Sequence, residues 1–279
     1  MIKPDLQDDA FLEDVVRAKE HPGQLHLWWL GQSGFLIQWQ GRHLLLDPYL
    51  SDSLTKKYAG TGKPHVRMTE RVIAPERLDF VDVVTSSHNH TDHLDAETLI
   101  PLLRSNPDLN IIVSRFNLPF AAERLQLPVD RLTPITVDAP PIILEPFTVS
   151  AIPAAHETLE QDENGDHRYI GLIVQAGPWT IYHSGDCVPY EGLVERLSNW
   201  QIDIALLPIN GRDPARGVAG NFTGEEAAQL ARQIDADIVI PCHYEMFEFN
   251  TASPEVFIEA ATRIGQRYRL LRCGERLSM

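Results

Sequence analysis

The chain has 279 residues, of which 43% are hydrophobic and 23% charged, a composition typical of a globular protein rather than a disordered one. Its net charge of −15 at pH 7 gives a surface that repels phosphate backbones and anionic lipid, which argues against nucleic acid and membrane partners. A small anionic substrate stays compatible with this charge, because metal ions and arginines can reverse the field inside a cleft.

The spacing of the cysteines and the charge of the N-terminal segment indicate the cellular compartment in which the protein is expected. Cys187, Cys242 and Cys273 have no paired spacing, so they predict no disulfide framework and a reducing environment. Residues 1–16 are acidic where a secretory signal peptide is basic, and no stretch approaches the roughly 18 apolar residues of a membrane span. The sequence therefore predicts a cytoplasmic protein.

The N-terminal quarter of the chain begins with a helix and continues with β-structure. Apolar residues at helical spacing predict a peripheral acidic helix over residues 5–20, within the segment 1–24. We interpret it as a solvated surface helix; the alternative is that it frames the mouth of a site or a subunit contact in a homo-oligomer. Residues 25–39 and 42–50 are two β-rich runs, and Gln40-Gly41 between them predicts a hairpin. Residues 51–75 are predicted to be a loop.

The rest of the chain alternates buried strands with amphipathic helices. A strand over residues 81–86 precedes a helix for which Asp95 is the predicted N-cap. Further strands are predicted at 111–115, 147–156, 169–175, 179–186, 202–210 and 236–244. Further helices are predicted at 120–126, 190–198, 223–235 and 254–265.

A faint internal similarity relates the two halves of the chain. In each half, a glycine-containing hairpin ends in an aspartate, Asp47 or Asp186, and a buried strand follows. Chance is the competing explanation, because any α/β chain contains hairpins. If the similarity is real, it indicates two similar sheets packed face to face with helices outside. We expect residues 1–279 to form a single domain.

The strongest chemical signal lies in residues 87–95, SHNHTDHLD. Three imidazoles and a carboxylate within six residues would make a costly interior, because every buried ring nitrogen needs a partner. His88 and His90 directly follow a strand and can project toward one metal ion, whereas Asp92 and His93 are presented to a second position. Imidazole with carboxylate suits zinc, manganese or iron(II). The segment therefore predicts a metal site; the alternative is a solvated polar cluster at a helix start.

Three other predicted strands end in residues of the same chemistry, namely His156, Asp186 and His243. Because strand ends converge on one rim of a sheet, we expect these three side chains to join the motif. His183, three residues before Asp186, is predicted either to support a ligand or to fill the core. The remaining histidines have no such partners and are predicted not to be ligands: His21, His26, His43, His65 and His167.

These motifs resemble those of a known superfamily. HNHTDH matches the HxHxDH motif of the metallo-β-lactamase superfamily, and the three later ligand types follow in that superfamily's order. The segments WWLGQSGFLI, YHSGDC and IPCHYEMFEFN are similar to those of the L-ascorbate-6-phosphate lactonase family within it, and the likeness extends from Trp28 to Phe249. The resemblance implies an α/β fold, a four-layer αββα sandwich with the metal site at one edge of the two sheets.

The resemblance also implies a ligand set for two divalent metal ions, Mn²⁺ or Zn²⁺. It assigns one ion to His88, His90 and His156. It assigns the second ion to Asp92, His93 and His243. Asp186 would bridge the two ions.

Two such ions predict a hydrolytic mechanism. Metals about 3.5–4 Å apart hold a shared water and lower its pKa, so that a metal-bridged hydroxide attacks a carbonyl carbon. The predicted catalytic residues are Asp92, which orients the nucleophile and carries a proton to the leaving group, and Asp186. The predicted activity is opening of a lactone or related ester, such as that of a phosphorylated sugar acid. The alternatives are a phosphodiesterase of the same fold and a non-catalytic metal-binding regulatory protein.

Several other residues are predicted to support this reaction. Lys63, Arg212 and Arg216 are basic residues in loops that would meet the phosphate of a substrate, with solvated surface charge as the alternative for each. Tyr244, next to a predicted ligand, would donate to an oxyanion or pack against a ring. Asp47, before Pro48, would orient a histidine or the backbone of the motif; an Asx-type turn is the alternative.

Overall fold

Thirteen strands in two mixed sheets form the centre of the protein, and helices cover the outer faces, in a computed structural model that describes all 279 residues. The α/β, four-layer αββα sandwich expected from the motifs is confirmed. The helices are α1 Asp8–Ala18, α2 Ser53–Lys57, α3 Ala96–Ser105, α4 Leu118–Leu125, α5 Leu193–Leu197, α6 Gly224–Gln233 and α7 Glu255–Ile264. The strands of the first sheet are β1 His26–Gly31, β2 Gly34–Trp39, β3 Arg42–Leu46, β4 Val83–Ser86, β5 Asn110–Ser114, β6 Leu132–Ile135 and β13 Arg276–Ser278. Those of the second are β7 Ile142–Leu144, β8 Phe147–Pro153, β9 Ile170–Ala176, β10 Trp179–His183, β11 Ile204–Pro208 and β12 Ile238–Cys242.

The two sheets share one arrangement of strands. The first has the order β13-β1-β2-β3-β4-β5-β6, and the second has the order β12-β11-β10-β9-β8-β7. The antiparallel hairpin β2–β3 is followed by β4, which pairs with β3 in parallel, so that Leu44 lies opposite Val83. The hairpin β9–β10 is followed in the same way by β11, with Ile181 opposite Ile204. The internal similarity in the sequence thus corresponds to a repeated strand arrangement.

The local structure departs from the sequence-based expectations in three places. Residues 25–39 form two strands rather than one run, because the chain turns at Gln32, whose φ is +49°. The hairpin at Gln40-Gly41 is present, and the φ angles of +51° and +76° are those a two-residue turn of this twist requires. The predicted loop 51–75 contains the short helix α2. The short strands β6, β7 and β13 were not predicted, because three or four residues carry little periodicity.

Helix α1 packs on the first sheet with one face. Phe11 and Val15 are fully buried, and the Trp28 indole N–H of β1 donates to the Asp14 carboxylate at 3.0 Å. The Gln38 amide of β2 donates to the Val15 carbonyl at 3.0 Å. The helix therefore forms part of the outer layer rather than being wholly solvated. No helix of the protein has the length and apolar character needed to cross a membrane.

The segment that carries the histidine motif is fixed between β4 and α3. Asp95 caps α3, as predicted, and its carboxylate accepts from the Glu97 amide at 3.3 Å and from the Thr98 hydroxyl at 2.5 Å. Helix α3 buries Leu99 and Leu102 against the sheet. Because strand and helix are both anchored in the core, the nine residues between them have little freedom to move.

Candidate metal centre

Four strand ends bring the predicted ligands together at one edge of the sandwich. The motif residues follow β4, whereas His156, Asp186 and His243 follow β8, β10 and β12. Gly185, whose φ is +58°, lets the end of β10 approach the motif, since a Cβ there would lie 2.7 Å from the Ser87 Cβ. The cluster forms because these strands end at the same edge.

The ligand atoms fall into two groups. Those of His88, His90, His156 and Asp186 all lie within 4.8 Å of one another. The ligand atoms of Asp92, His93 and His243 form a second group, and they also lie within 4.8 Å of one another.

Asp186 lies between the two groups and directs one carboxylate oxygen toward each. Its Oδ1 is 3.2 Å from the His93 Nε2 and 3.4 Å from the His243 Nε2. Its Oδ2 is 3.5 Å from the His156 Nε2. A carboxylate in this position can bridge two cations.

The chemistry of the cluster fits divalent metal ions. The Nε2 atoms of His88 and His93 and the Oδ1 of Asp186 are buried and have no hydrogen-bond partner. A buried polar atom left without a partner costs about 1–3 kcal/mol, so packing alone does not account for this arrangement. Imidazole nitrogen and carboxylate oxygen are ligands that zinc and manganese accept.

Burial keeps the first group of histidines neutral. It lowers the pKa of His90 to about 4 and holds the pKa of His88 well below its usual value. Burial also lowers the pKa of His156, whose Nδ1–H donates to the Gly220 carbonyl at 2.9 Å. A neutral imidazole whose other nitrogen already donates a hydrogen bond presents a lone pair to a cation.

In the second group the neighbouring carboxylates outweigh burial. Burial disfavours the charged form of His243, but Asp186 and Asp92 raise its pKa to about 9. The pKa of His93 is raised well above its usual value by the same two carboxylates, again against the effect of burial. Burial would raise the pKa of Asp92, but His93 and His243 hold it well below its usual range. Metal binding in this group therefore displaces protons.

A buried hydrogen-bond network of Asp47 and Ser87 orients His88 and His93. The Nδ1 of His93 donates to the Asp47 Oδ2 at 2.6 Å, and the Asp47 Oδ1 accepts from the Ser87 amide at 2.9 Å. The Ser87 hydroxyl also donates to Asp47 and lies 3.0 Å from the His88 Nδ1. Asp47 thus contacts both a histidine and the motif backbone. His183 makes no such contact, because its Nε2 lies 2.9 Å from the Ser33 carbonyl oxygen on the neighbouring turn.

One residue in the centre was not predicted from the sequence. Gln32 is fully buried, and its Nε2 lies 2.7 Å from the Asp92 Oδ2 and 3.0 Å from the His243 Nε2. The sequence did contain a signal for Gln32, because it is a polar residue within a run of mostly apolar and glycine residues. A buried strand or turn tolerates such a side chain only when its polar atoms have partners.

A cavity of about 480 Å³ opens onto the cluster and is lined by five of its side chains, those of His90, Asp92, His156, Asp186 and His243. Its wall carries four basic side chains: Lys57, Lys63, Arg124 and Arg168. Arg168 pairs with Glu160 at 2.9 Å, and Arg124 donates to the Asn89 carbonyl at 2.8 Å. Lys57 and Lys63 have no carboxylate partner; they contact the Thr91 hydroxyl and the Gly217 carbonyl.

Three of the predicted substrate contacts do not line this cavity. Arg212 makes two hydrogen bonds to Glu226, at 2.6 and 2.5 Å. Arg216 donates to the carbonyl oxygens of Asn210 and Thr251, so it holds two loops together. Tyr244 is buried, where its hydroxyl donates to the Leu271 carbonyl and its ring stacks on Trp29. Loop position in the sequence did not reveal these partners. Lys63 is the one predicted basic contact that lines the cavity.

Comparison with known proteins identifies the family. The sequence profile described as Beta-lactamase superfamily domain matches residues 42–244. The chain is 23% identical over 280 residues to a probable L-ascorbate-6-phosphate lactonase of Escherichia coli O127:H6, with 87% of this chain and 76% of that protein covered. It is 24% identical over 258 residues to a metal-dependent hydrolase of Metallosphaera sedula, with 90% and 98% covered.

Solved structures share the fold. A possible metal-dependent hydrolase from Veillonella parvula superposes with a TM-score of 0.70 at 17% identity, over 91% of this chain and 99% of that one. An isothiocyanate hydrolase from Delia radicum gut bacteria superposes with a TM-score of 0.69 at 19% identity, over 90% and 98%. The profile match, which spans most of the chain, and the buried histidine and aspartate cluster lead to one conclusion: the chain belongs to the beta-lactamase superfamily and is a metal-dependent hydrolase of the metallo-β-lactamase fold.

Proposed function

We propose that the protein is a two-metal hydrolase that opens a lactone or a related ester of a small anionic molecule. The observation that carries this proposal is Asp186, which directs Oδ1 toward the group of His93 and His243 and Oδ2 toward His156. A carboxylate with one oxygen for each of two ligand groups is the arrangement that two neighbouring cations require.

The bound ions, Mn²⁺ or Zn²⁺, would supply an activated water and polarise the ester carbonyl. The chain's own contribution begins with Asp92, whose carboxylate reaches the cavity. In this position it orients the attacking water and carries a proton to the leaving oxygen. The bond that breaks is the one between the carbonyl carbon and the ring oxygen, so a lactone leaves as a single acyclic hydroxy acid.

The cavity wall supports an anionic substrate. In a chain with a net charge of −15, Lys57 and Lys63 face the cavity without a carboxylate partner. Unpaired ammonium groups near a metal site can bind a phosphate or carboxylate group of the substrate. The Escherichia coli relative is named for a phosphorylated lactone, which is consistent with this assignment.

Two further assignments complete the proposal. We expect no nucleic acid and no membrane lipid among the substrates, because the acidic surface repels both. We also propose a cytoplasmic location, since Cys187, Cys242 and Cys273 are all buried free thiols rather than disulfides.

The test combines metal analysis with a substrate panel. The protein is purified without added metal, its metal content is measured, and hydrolysis of lactones, carboxylate esters and phosphodiesters is assayed with Mn²⁺ and with Zn²⁺. We expect two ions per chain and turnover of lactones, fastest for those that carry a phosphate. Turnover of phosphodiesters alone would replace the proposal by a phosphodiesterase, and two bound ions with no turnover would favour a binding protein.

A further inference from the structure

Gln32 lies inside the metal centre and has an unsatisfied amide. Its side chain is fully buried, and its Oε1 has no hydrogen-bond partner. Its Nε2 faces two ligand atoms of the second group, the Asp92 Oδ2 at 2.7 Å and the His243 Nε2 at 3.0 Å. A buried amide oxygen without a partner costs about 1–3 kcal/mol, so this orientation is an unfavourable one for a residue with no further role.

The contact with His243 is incompatible with a metal ion in the second group. The His243 Nε2 has a single lone pair, so a nitrogen that binds a cation cannot also accept a hydrogen bond from the Gln32 amide. The nitrogen and oxygen of a glutamine amide exchange places by a rotation of 180°, and their assignment follows only from the hydrogen-bond network. Binding of a cation by His243 therefore favours the rotated amide.

The rotated amide would present an oxygen where the nitrogen now lies. That position is 2.7 Å from one ligand atom and 3.0 Å from another. For metal–ligand bonds of about 2.0–2.2 Å, neighbouring ligands at right angles on one ion lie roughly 3 Å apart. The position of the Gln32 amide thus has the spacing of a ligand relative to Asp92 and His243.

The backbone holds Gln32 beside His243 independently of the side chain. The Gln32 carbonyl accepts from the His243 amide at 2.9 Å and from the Trp29 indole N–H at 3.0 Å. Its positive φ of +49° forms the turn between β1 and β2. Because the turn is fixed to the strand end that carries His243, little conformational entropy is lost when the amide takes part in binding.

We propose that the Gln32 amide oxygen is a further protein ligand of the ion held by Asp92, His93, His243 and the bridging Asp186. The inference rests on the two-metal function proposed above. A neutral carbonyl-type oxygen is a ligand that suits manganese better than zinc. The added ligand should therefore increase the affinity of this position for Mn²⁺ more than its affinity for Zn²⁺.

The test measures metal affinity and needs no substrate. Metal-free protein is titrated with Mn²⁺ and with Zn²⁺ for the wild type and the Gln32→Ala, Gln32→Asn and Gln32→Glu variants. Asn tolerates the positive φ but is one methylene shorter, and Glu keeps the oxygen ligand. Gln38→Ala is the matched control, since Gln38 is a buried glutamine of the same hairpin that contacts Val15 and His43 instead.

We expect the first ion to bind unchanged in all variants. The second Mn²⁺ should bind at least about ten-fold more weakly in Gln32→Ala and Gln32→Asn, with a smaller loss for Zn²⁺, and Gln32→Glu should restore Mn²⁺ binding. A crystal structure of the Mn²⁺-loaded wild type should place the Gln32 Oε1 within about 2.5 Å of the ion. If the Gln32 amide only donated a hydrogen bond to Asp92, Gln32→Glu would weaken binding as much as Gln32→Ala does.

The outcomes separate this inference from the proposed function. If the wild type binds two ions and the Gln32 variants bind both with wild-type affinity, the ligand assignment is wrong and the two-metal hydrolase stands. If the wild type binds no second ion, both proposals fail. An amide that faces away from the ion in the Mn²⁺-loaded crystal also overturns the ligand assignment.

Discussion

The Asp47 Oδ2 lies 2.6 Å from the His93 Nδ1, and both side chains are completely buried. This contact keeps a proton on the His93 Nδ1 and makes the Nε2, which faces Asp186 at 3.2 Å, the nitrogen that can bind a cation. The sheet edge therefore determines the geometry of the metal centre through a residue that does not itself face the cavity.

Replacement of Asp47 by Asn should weaken metal binding. An amide cannot accept the His93 proton as strongly as a carboxylate does, so we expect the affinity of the second ion to fall by about 10–100-fold. Metal titration of the metal-free variant measures this loss. Asp82→Asn is a suitable control, because Asp82 accepts the backbone N–H of His43 at 2.8 Å, away from the cluster. Unchanged affinity in Asp47→Asn would remove Asp47 from the support of the site.

Removal of the Asp186 carboxylate should affect both ions of the proposed two-metal site. In Asp186→Ala we expect one bound ion or fewer and no turnover, since the variant loses the carboxylate that directs one oxygen toward each ligand group. Metal content by elemental analysis and a rate assay test this expectation. Asp203→Asn, which alters a carboxylate on the same sheet that accepts from the Thr180 amide, should retain both ions. Two bound ions and normal rates in Asp186→Ala would exclude it from the site.

Adjacent lysines provide a test of substrate charge. Lys57 faces the cavity without a carboxylate partner, whereas Lys56 pairs with Glu97 at 2.6 Å. Lys57→Ala should raise KM for a phosphorylated substrate about ten-fold, equivalent to about 1.4 kcal/mol, and leave KM for a neutral ester nearly unchanged. Lys56→Ala should change neither value. Equal effects of the two substitutions would contradict phosphate recognition by Lys57.

Arg212 should behave as a structural residue. Its guanidinium pairs with Glu226, which also belongs to the capping box of α6 with Thr223. We expect Arg212→Ala to leave KM unchanged for both anionic and neutral substrates and to lower the free energy of unfolding by about 0.2–1 kcal/mol. Steady-state kinetics and denaturant unfolding measure the two effects. A KM increase confined to anionic substrates would restore Arg212 as a substrate contact.

Acid should destabilise the protein in part through His43. Burial, with a smaller contribution from Lys19, lowers the pKa of His43 to about 3, and its ring lies 2.8 Å from the Gln38 amide nitrogen. Because the folded pKa lies below the unfolded value, the stabilising contribution is complete above about pH 6.5 and is lost as the pH falls toward 3. The loss should be on the order of 3 kcal/mol by pH 4.

The effect is measured as the difference between the free energies of unfolding at pH 7 and at pH 4.5. His43→Gln should reduce the fall in unfolding free energy between the two pH values relative to the wild type. His21→Gln, which replaces an exposed histidine, should leave that fall unchanged. An identical pH dependence in wild type and His43→Gln would show that His43 is not the group responsible.

The sequence determined the metal-binding chemistry and the fold class. His88, His90, Asp92 and His93 are close in the chain, so their convergence needs only a strand followed by a turn. His156, Asp186 and His243 were identifiable because each follows a strand, and strand ends meet at one edge of a sheet. These patterns are local, because they depend on the spacing of apolar residues and on the polar or glycine residues that end each strand.

Only the tertiary structure decided which other side chains belong to the site. Lys57 and Lys63 line the cavity, whereas Arg212 forms an ion pair with Glu226 and the Tyr244 hydroxyl donates a hydrogen bond to the Leu271 carbonyl. Gln32 reaches Asp92 across 60 residues of sequence. The hydrogen-bond partner of a long polar side chain depends on which distant segments pack beside it. The periodicity of a sequence predicts local helices and strands, but it does not predict those long-range neighbours.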